Sequence, residues 1–225
     1  MYAPDDWYKS FFQGLFVEAW LDAMPAEHTE REVDFIRHKL AVSPPASVLD
    51  VPCGGGRHAI PLAELGYRVT AVDISPDFLK APRQRADEKN LQIDWYQQDM
   101  SDLQWHSVYD GAYCFGNSFG YIPDDVIPRF LAQIVCALKP GARFVLDYPV
   151  LLENVLKIFM EKSSHTFGDF KGERNGRYDP ESGRIVVEHT VTRGDQTARA
   201  VMNQRAYTYR QICDLFTAAG FEDVQ

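Results

Sequence analysis

Short apolar runs alternate with stretches of helical periodicity through the first two thirds of the chain. Five such runs predict β-strands, at residues 47–51, 67–72, 92–97, 111–115 and 142–148. Between the last two, residues 124–138 repeat apolar side chains every three or four positions, which predicts an amphipathic helix ended by Lys139, Pro140 and Gly141. Alternating strands and helices are typical of parallel strands with helical crossovers. We therefore predict an α/β fold with a Rossmann-like, doubly wound, mainly parallel sheet.

Two amphipathic helices are predicted ahead of the first strand, at residues 7–24 and 29–42. In the second, Thr29 is the expected N-cap and Glu32 completes a capping box. We expect residues 1–45 to form an N-terminal helical lid and residues 46–149 to form the ligand-binding core of a single domain.

The pattern changes after Tyr148. Residues 163–208 hold alternating β-rich runs separated by turn sequences at 179–183 and 194–195, which predicts an antiparallel β-meander inserted after strand five. A helix over 209–220 follows. The final residues, FEDVQ, are expected to begin a sixth strand, so we expect the last strand of the sheet to be missing.

Composition narrows the class of protein. The chain has 225 residues, of which 45% are hydrophobic, enough for one core. The net charge of −9 disfavours nucleic acid as a partner. No apolar run approaches the roughly 20 residues of a membrane span, and the start of the chain lacks a basic signal-peptide region, so we expect a cytoplasmic protein. We expect it to be a monomer or a homodimer. The four cysteines form no C-x-x-C pair, so no metal site or disulfide framework is expected.

Candidate chemistry begins in the stretch VLDVPCGGGRHAI, residues 48–60, where an apolar run ends in an acid and three glycines. Read from Gly54, it fits the dinucleotide pattern G-x-G-x-x-A, although tight-turn packing alone could also explain the glycines. Asp73 ends the next strand about 20 residues further on, where a carboxylate can accept both hydroxyls of a ribose. This acid fits NAD and any other adenosine ligand equally well.

Two more acids distinguish these ligands. Asp50 lies directly before the glycines, where it would repel a pyrophosphate but suit a cationic amino group. Asp99 ends the third strand and can take the exocyclic amine of an adenine, with Met100 against the ring. A ligand with an adenine, a ribose, an ammonium and no phosphate fits all three acids, and S-adenosylmethionine is such a ligand.

These residues carry a family resemblance. The chain resembles class I S-adenosylmethionine-dependent methyltransferases, in particular the bacterial small-molecule branch. Members of this branch often read VLDVPCGxGRH after an N-terminal helix like WYKSFFQGLFVEAW. The strand-four segment YDGAYCFGNSFGYI adds to the resemblance. Pro52 departs from the [D/E]-x-G-x-G-x-G motif at its first glycine, whereas Gly54 and Gly56 keep the later two. The resemblance implies a sheet of order 3-2-1-4-5-7-6 with an antiparallel seventh strand. We expect this strand to be missing, because the sequence ends before it. The resemblance also implies that Arg57 and His58 face the cofactor and that the meander covers the acceptor pocket.

The expected cofactor-binding set joins these positions to their neighbours. Asn117 would bind the cofactor's amino group through its side-chain carbonyl, or cap the next helix. Tyr8 would place an aromatic face near the sulfonium. Cys53 is expected to be a small buried residue rather than a nucleophile. The full set is Tyr8, Asp50, Cys53, Gly54, Gly56, Arg57, Asp73, Ile74, Asp99, Met100, Phe115 and Asn117.

We expect methyl transfer to a small-molecule N or O acceptor by in-line displacement, which mainly requires alignment and exclusion of water. If a base removes a proton, His165 and His189 are candidates, with Tyr148 and Tyr207 behind them. The absence of an N-P-P-Y type motif argues against DNA and protein-glutamine substrates. Two alternatives remain: a non-catalytic protein that binds S-adenosylmethionine or S-adenosylhomocysteine, and an NAD-dependent oxidoreductase.

Overall fold

The structure is a computed structural model that describes residues 3–158 and 162–225. Its centre is a sheet of five parallel strands in the order β3-β2-β1-β4-β5, which confirms the predicted doubly wound sheet. Its strands are β1 (Ser47–Asp50), β2 (Arg68–Asp73), β3 (Ile93–Gln97), β4 (Tyr109–Cys114) and β5 (Leu138–Leu146).

Eight α-helices surround the two sheets in the described part of the chain. They are α1 (Tyr8–Phe11), α2 (Leu15–Asp22), α3 (Ala26–Leu40), α4 (Ala59–Glu64), α5 (Pro76–Glu88), α6 (Ile127–Ala137), α7 (Leu152–Ile158) and α8 (Tyr209–Ala219). The apolar face of α6 is fully buried against the sheet, as its periodicity predicts. β5 follows α6 directly at Leu138, so Lys139, Pro140 and Gly141 belong to the strand rather than to a loop after the helix.

The N-terminal helices differ from the prediction in two places. The helix expected over residues 7–24 is divided in two around Gly14, whose φ of +53° is not helical. The next helix begins at Ala26 after Pro25, whose backbone is extended, so Thr29 lies inside the helix and the predicted capping box is wrong. This earlier start places Glu32 in the second turn of α3, where its carboxylate reaches another part of the chain. Residues 1 and 2 of the expected lid lie outside the described residues.

The antiparallel insertion is confirmed as a separate four-stranded sheet. Its strands pair in sequence order: β6 (Lys162–Phe167), β7 (Phe170–Asp179), β8 (Arg184–Arg193) and β9 (Gln196–Arg205). The sheet packs on the aromatic side chains of α1 and α2, where Phe11 and Phe16 share a cluster with Val191 and Met202. The indole Nε1 of Trp7 donates to the backbone carbonyl of Asn203 at 2.6 Å. The N-terminal helices and the inserted sheet are therefore one packed unit.

The predicted sixth strand is wrong, because residues 221–225 form no strand. The ring of Phe221 stacks on Phe144 of β5 at 5.8 Å and lies 5.1 Å from the ring of Phe216 in α8. This segment is held by side-chain packing and does not pair with the sheet. Among the described residues, no helix is long and apolar enough to cross a membrane.

Candidate functional site

A cavity of about 600 Å³ lies at the carboxyl ends of β1, β2 and β4, beneath the N-terminal helices. Its volume is in the range of small-ligand sites, about 300 to 1,000 Å³. Ten of the twelve residues predicted to bind the cofactor line it: Tyr8, Cys53, Gly54, Gly56, Arg57, Asp73, Ile74, Asp99, Met100 and Phe115. The structure therefore brings these ten predicted positions together, since the ends of parallel strands meet at one edge of a sheet.

Asp73 joins the end of β2 to the glycine loop. Its Oδ2 accepts the Gly54 N–H at 2.8 Å, and its Oδ1 accepts the Ser75 N–H at 2.8 Å. Burial raises the pKa of Asp73 to about 6, although the backbone hydrogen bonds act in the opposite direction. Because each carboxylate oxygen can accept a second hydrogen bond, Asp73 is able to receive two vicinal hydroxyls from the cavity.

Asp99 follows β3 and presents one oxygen near the cavity. Its Oδ1 accepts the backbone N–H and the hydroxyl of Ser101, at 2.9 and 2.8 Å. Its Oδ2 lies 3.4 Å from the Tyr8 hydroxyl and 4.0 Å from the Lys9 ammonium. Burial, and then the charge of Asp99, raises the pKa of Tyr8 to about 12, so the phenol keeps its proton. With Met100 beside it, this carboxylate suits an amine on a flat ring.

Two of the three consecutive glycines, Gly54 and Gly56, have different structural roles. Gly54 and Gly56 have φ values of +51° and +69°, in the left-handed region that favours glycine. A Cβ on Gly56 would lie 2.8 Å from both Pro82 and Trp95, whereas a Cβ on Gly54 would meet nothing within 4 Å. Gly56 is therefore required by packing, and Gly54 leaves space open within the cavity.

Hydrogen bonds join the N-terminal helices to the residues that follow β2 at the edge of the cavity. The Ser75 hydroxyl donates to the Phe12 carbonyl at 2.6 Å, and the Gly14 N–H donates to Asp77 at 2.8 Å. Phe12, Trp20 and Leu21 add an apolar wall to the cavity. This arrangement can hold a ligand away from water.

Two predicted ligand residues do not line the cavity. Asp50 is 1% exposed and lies behind the glycine loop, where burial raises its pKa and the Tyr113 hydroxyl is nearby. Asn117, before the 3-10 turn Ser118–Tyr121, donates its side-chain amide to Gln204 at 2.7 Å and makes no side-chain cap bond. Asp50 ends β1, the central strand between β2 and β4, and its side chain is buried in the core. Asn117 is held by its hydrogen bond to Gln204 of the inserted sheet and does not line the cavity.

None of the four predicted proton acceptors lines the cavity. Tyr207 is buried, and burial raises its pKa. His165 is exposed on β6. His189 packs 5.8 Å from the rings of Phe11 and Trp20, and burial followed by the charge of Arg174 lowers its pKa to about 4. Tyr148 donates its hydroxyl to the backbone carbonyl of Arg205, and burial raises its pKa. His165 thus faces solvent, and the other three candidates are enclosed by packing outside the cavity.

Glu32 is the contact that sequence reasoning missed. Its carboxylate pairs with Arg57 and lies 2.9 Å from His58 Nε2 and 3.1 Å from His28 Nε2. Burial would raise the pKa of Glu32, but hydrogen bonds from His58 and Arg57 outweigh it and lower the pKa to about 2. The only local signal was the i,i+4 spacing of His28 and Glu32, because the other partners lie more than 20 residues away. Glu32 thus fixes the glycine loop to α3.

This network predicts acid sensitivity. A carboxylate with a depressed pKa stabilises the fold above its ordinary pKa of 4.5, and that stability is lost as pH falls toward 2. We expect Glu32→Gln to lower the free energy of unfolding at pH 7 by about 1.5 to 3 kcal/mol and to flatten its fall in acid. Urea unfolding between pH 2.5 and 7 measures both. Glu27→Gln, at an exposed position of the same helix, is the control, and an unchanged acid limb in Glu32→Gln would contradict the role of the network.

The described residues contain no group of three or more His, Cys, Asp or Glu side chains arranged to hold a metal ion. The polar lining of the cavity comprises carboxylates, cationic side chains and the backbone of the glycine loop; the charged residues are Glu30, Glu64, Asp73, Asp99, Arg57, Arg85 and Lys89. This set fits an adenosine ligand that carries an aliphatic amino-acid chain.

Known proteins share this fold and part of the sequence. Residues 48–141 match the family described as a methyltransferase domain. A ubiquinone biosynthesis O-methyltransferase of Xanthomonas campestris is 34% identical over 118 residues, which are 51% of this chain and 47% of that protein. The chain therefore spans about half the length of the curated relatives it matches.

Two solved structures cover most of the fold. An S-adenosylmethionine-dependent methyltransferase from Clostridium acetobutylicum superposes with a TM-score of 0.77 at 18% identity, over 90% of this chain and 83% of that one. CalS10, an amino pentose methyltransferase from Micromonospora echinaspora with bound S-adenosylmethionine, gives 0.69 at 18% identity, over 92% and 89%. Residues 48–141 therefore match a methyltransferase domain, and the chain shares the fold of these two methyltransferases.

Proposed function

We propose that this protein transfers a methyl group from S-adenosylmethionine to a nitrogen or oxygen of a small molecule. The observation that carries the proposal is the placement of Asp73 and Asp99 on one cavity wall beside the backbone of Gly54. Asp73 would receive the ribose hydroxyls, Asp99 the adenine amine, and the glycine loop the amino-acid end. The ten cavity-lining residues of the predicted set are our candidates for cofactor contacts.

S-adenosylmethionine supplies a methyl group already activated on a positively charged sulfur. The chain therefore has to bind, orient and dehydrate the reactants, and such positioning contributes about 7 to 11 kcal/mol to catalysis. Asp73 and Asp99 fix the adenosine, while Tyr8 and the apolar side chains of α2 exclude water. The N-terminal helices act as the lid, and the inserted sheet, packed behind them, supports that lid over the acceptor.

The named relatives support a small acceptor. The curated relative is an O-methyltransferase of ubiquinone biosynthesis, and CalS10 acts on an amino pentose. The first of these enzymes methylates oxygen and the acceptor of the second carries an amine, so our proposal includes both nitrogen and oxygen.

Calorimetry separates this function from its alternatives. We expect S-adenosylhomocysteine to bind, and a titration with NAD tests the dinucleotide alternative, which Asp73 fits equally well. Failure to bind S-adenosylhomocysteine at millimolar concentration would remove the proposal. Transfer of labelled methyl groups to an amine and alcohol library then distinguishes an enzyme from a non-catalytic binder.

Cofactor affinity should depend on pH through Asp73. Its pKa of about 6 means that the empty site is largely ionised at pH 8 and largely protonated at pH 5. Because the ionised form accepts the ribose hydroxyls, affinity for S-adenosylhomocysteine should weaken about tenfold between pH 7 and pH 5. Calorimetry over that range measures the slope, which Asp73→Asn should abolish. A slope retained in Asp73→Asn would assign the titration to another group.

A further inference from the structure

The residues that follow β4 give one side of the cavity a different chemistry from the sides that follow β2 and β3. We propose that this side binds a methyl acceptor that is an uncharged, planar aromatic molecule, whose hydroxyl or neutral amine meets the side-chain hydroxyls of Ser118 and Tyr121. This inference rests on the proposed function and narrows it, because it names the class of acceptor.

The order of the strands leaves the β4 side of the cavity to the acceptor. Asp99 and Asp73 follow β3 and β2, and the glycine loop follows β1, so the proposed cofactor would take up that half of the edge. β4 lies on the other side of β1. The cavity-lining residues that follow it are Phe115, Gly116, Ser118 and Tyr121. An acceptor on this side approaches the cofactor from the side opposite the adenine.

Aromatic rings form the walls of this side. Phe12 and Trp20 from the N-terminal helices are half-buried and line the cavity, and their ring centroids lie 5.8 Å apart. The ring of Tyr121 lies 5.9 Å from that of Phe12, and the buried ring of Phe115 also lines the cavity. Aromatic side chains pack on another ring in offset or edge-to-face contacts, which add to the gain from burying its surface. These walls therefore suit a flat, unsaturated acceptor.

The charged residues of the lining all lie elsewhere. They are Asp73, Asp99, Glu30, Glu64, Arg57, Arg85 and Lys89. In the described part of the chain, α1, α2 and the segment after β4 contribute no charged side chain to the cavity. Asp147 accepts the Gly116 N–H at 3.2 Å but does not line the cavity. A protonated amine would lack a counterion on this side, and the sulfonium of the cofactor would repel it.

Two hydroxyl groups give the β4 side its polarity. Ser118 and Tyr121 are the first and last residues of the 3-10 turn after β4, and both are buried residues of the cavity lining. Burial raises the pKa of Tyr121, so its phenol keeps its proton and can donate a hydrogen bond. A serine hydroxyl can both donate and accept. The pair therefore suits a hydroxyl or a neutral amine on the acceptor.

Three probes of similar shape separate the classes of acceptor. Benzyl alcohol, benzylamine and cyclohexylmethanol would each be titrated at pH 7 into protein saturated with S-adenosylhomocysteine, and binding followed by NMR. Benzylamine replaces the hydroxyl with a cation, and cyclohexylmethanol replaces the flat ring with a saturated one. We expect benzyl alcohol to bind at least threefold more tightly than either. A smaller preference over either probe, or no binding of benzyl alcohol, would overturn the inference.

Two variants test the residues themselves. Trp20→Leu should lower the preference for benzyl alcohol over cyclohexylmethanol by threefold or more, whereas Trp105→Leu, outside the cavity, should not change it. Tyr121→Phe should weaken benzyl alcohol three- to tenfold relative to toluene, which has no hydroxyl. The control is Tyr96→Phe, which makes the same change at an exposed position of β3. Each quantity is a ratio of two affinities within one protein, so a partial loss of folded protein does not alter it.

Unchanged ratios in Trp20→Leu and Tyr121→Phe would refute the inference, and so would equal changes in the two controls. Failure of S-adenosylhomocysteine to saturate the unmodified protein is a different result, because it removes the proposed function itself.

Discussion

Replacing Asp73 with alanine should weaken the binding of S-adenosylhomocysteine by about 30- to 1,000-fold. The change removes a pair of charge-assisted hydrogen bonds to the ribose, worth about 2 to 4 kcal/mol. It also releases the Gly54 N–H, which Asp73 Oδ2 now holds at 2.8 Å, so the glycine loop loses one of its hydrogen bonds to β2. Isothermal titration calorimetry at pH 7.5 measures the loss.

Asp94→Ala is the matched control, because Asp94 is an exposed acid on the adjacent strand β3. It should bind S-adenosylhomocysteine as the unmodified protein does. Thermal unfolding of both variants separates lost affinity from lost structure. If Asp73→Ala binds within twofold of the unmodified protein, Asp73 has no role in holding the ribose.

Alanine at Gly56 should lower the free energy of unfolding by about 2 to 5 kcal/mol. The left-handed backbone costs a side chain roughly 1 to 2 kcal/mol, and overpacking against Pro82 and Trp95 adds about 1 to 3 kcal/mol. Gly54→Ala is the comparison, because its backbone is also left-handed but its Cβ would meet open space. We expect it to lose only the conformational part, and to weaken cofactor binding because its methyl group occupies the cavity.

Urea unfolding and calorimetry on both variants give two independent readouts. The expected pattern is a large stability loss in Gly56→Ala and a binding loss at small stability cost in Gly54→Ala. Equal stability losses would show that the contacts with Pro82 and Trp95 do not matter.

The strands and the cofactor edge could be predicted because they depend on local signals. Each buried strand is a short apolar run, and parallel strands with helical crossovers leave their carboxyl ends at one edge. Acids and glycines near those ends, such as Asp73, Asp99 and Gly54, can therefore share a cavity.

The direction of individual side chains could not be predicted in this way. Asp50 is as close in sequence to the glycine loop as a ligand residue would be, yet it faces the core beside Tyr113. The aromatic residues of α1 and α2 enclose His189, so a histidine that looked available for catalysis is surrounded by rings.

The amino-acid sequence by itself determined the doubly wound sheet, the inserted meander and the sheet edge at which the cavity lies, because periodicity and turn chemistry act over a few residues. Only the tertiary structure decided that Glu32 bonds Arg57 and His58 and that the rings of Phe11 and Trp20 enclose His189. These arrangements join side chains that lie far apart along the chain, and packing of whole elements sets the distances between them.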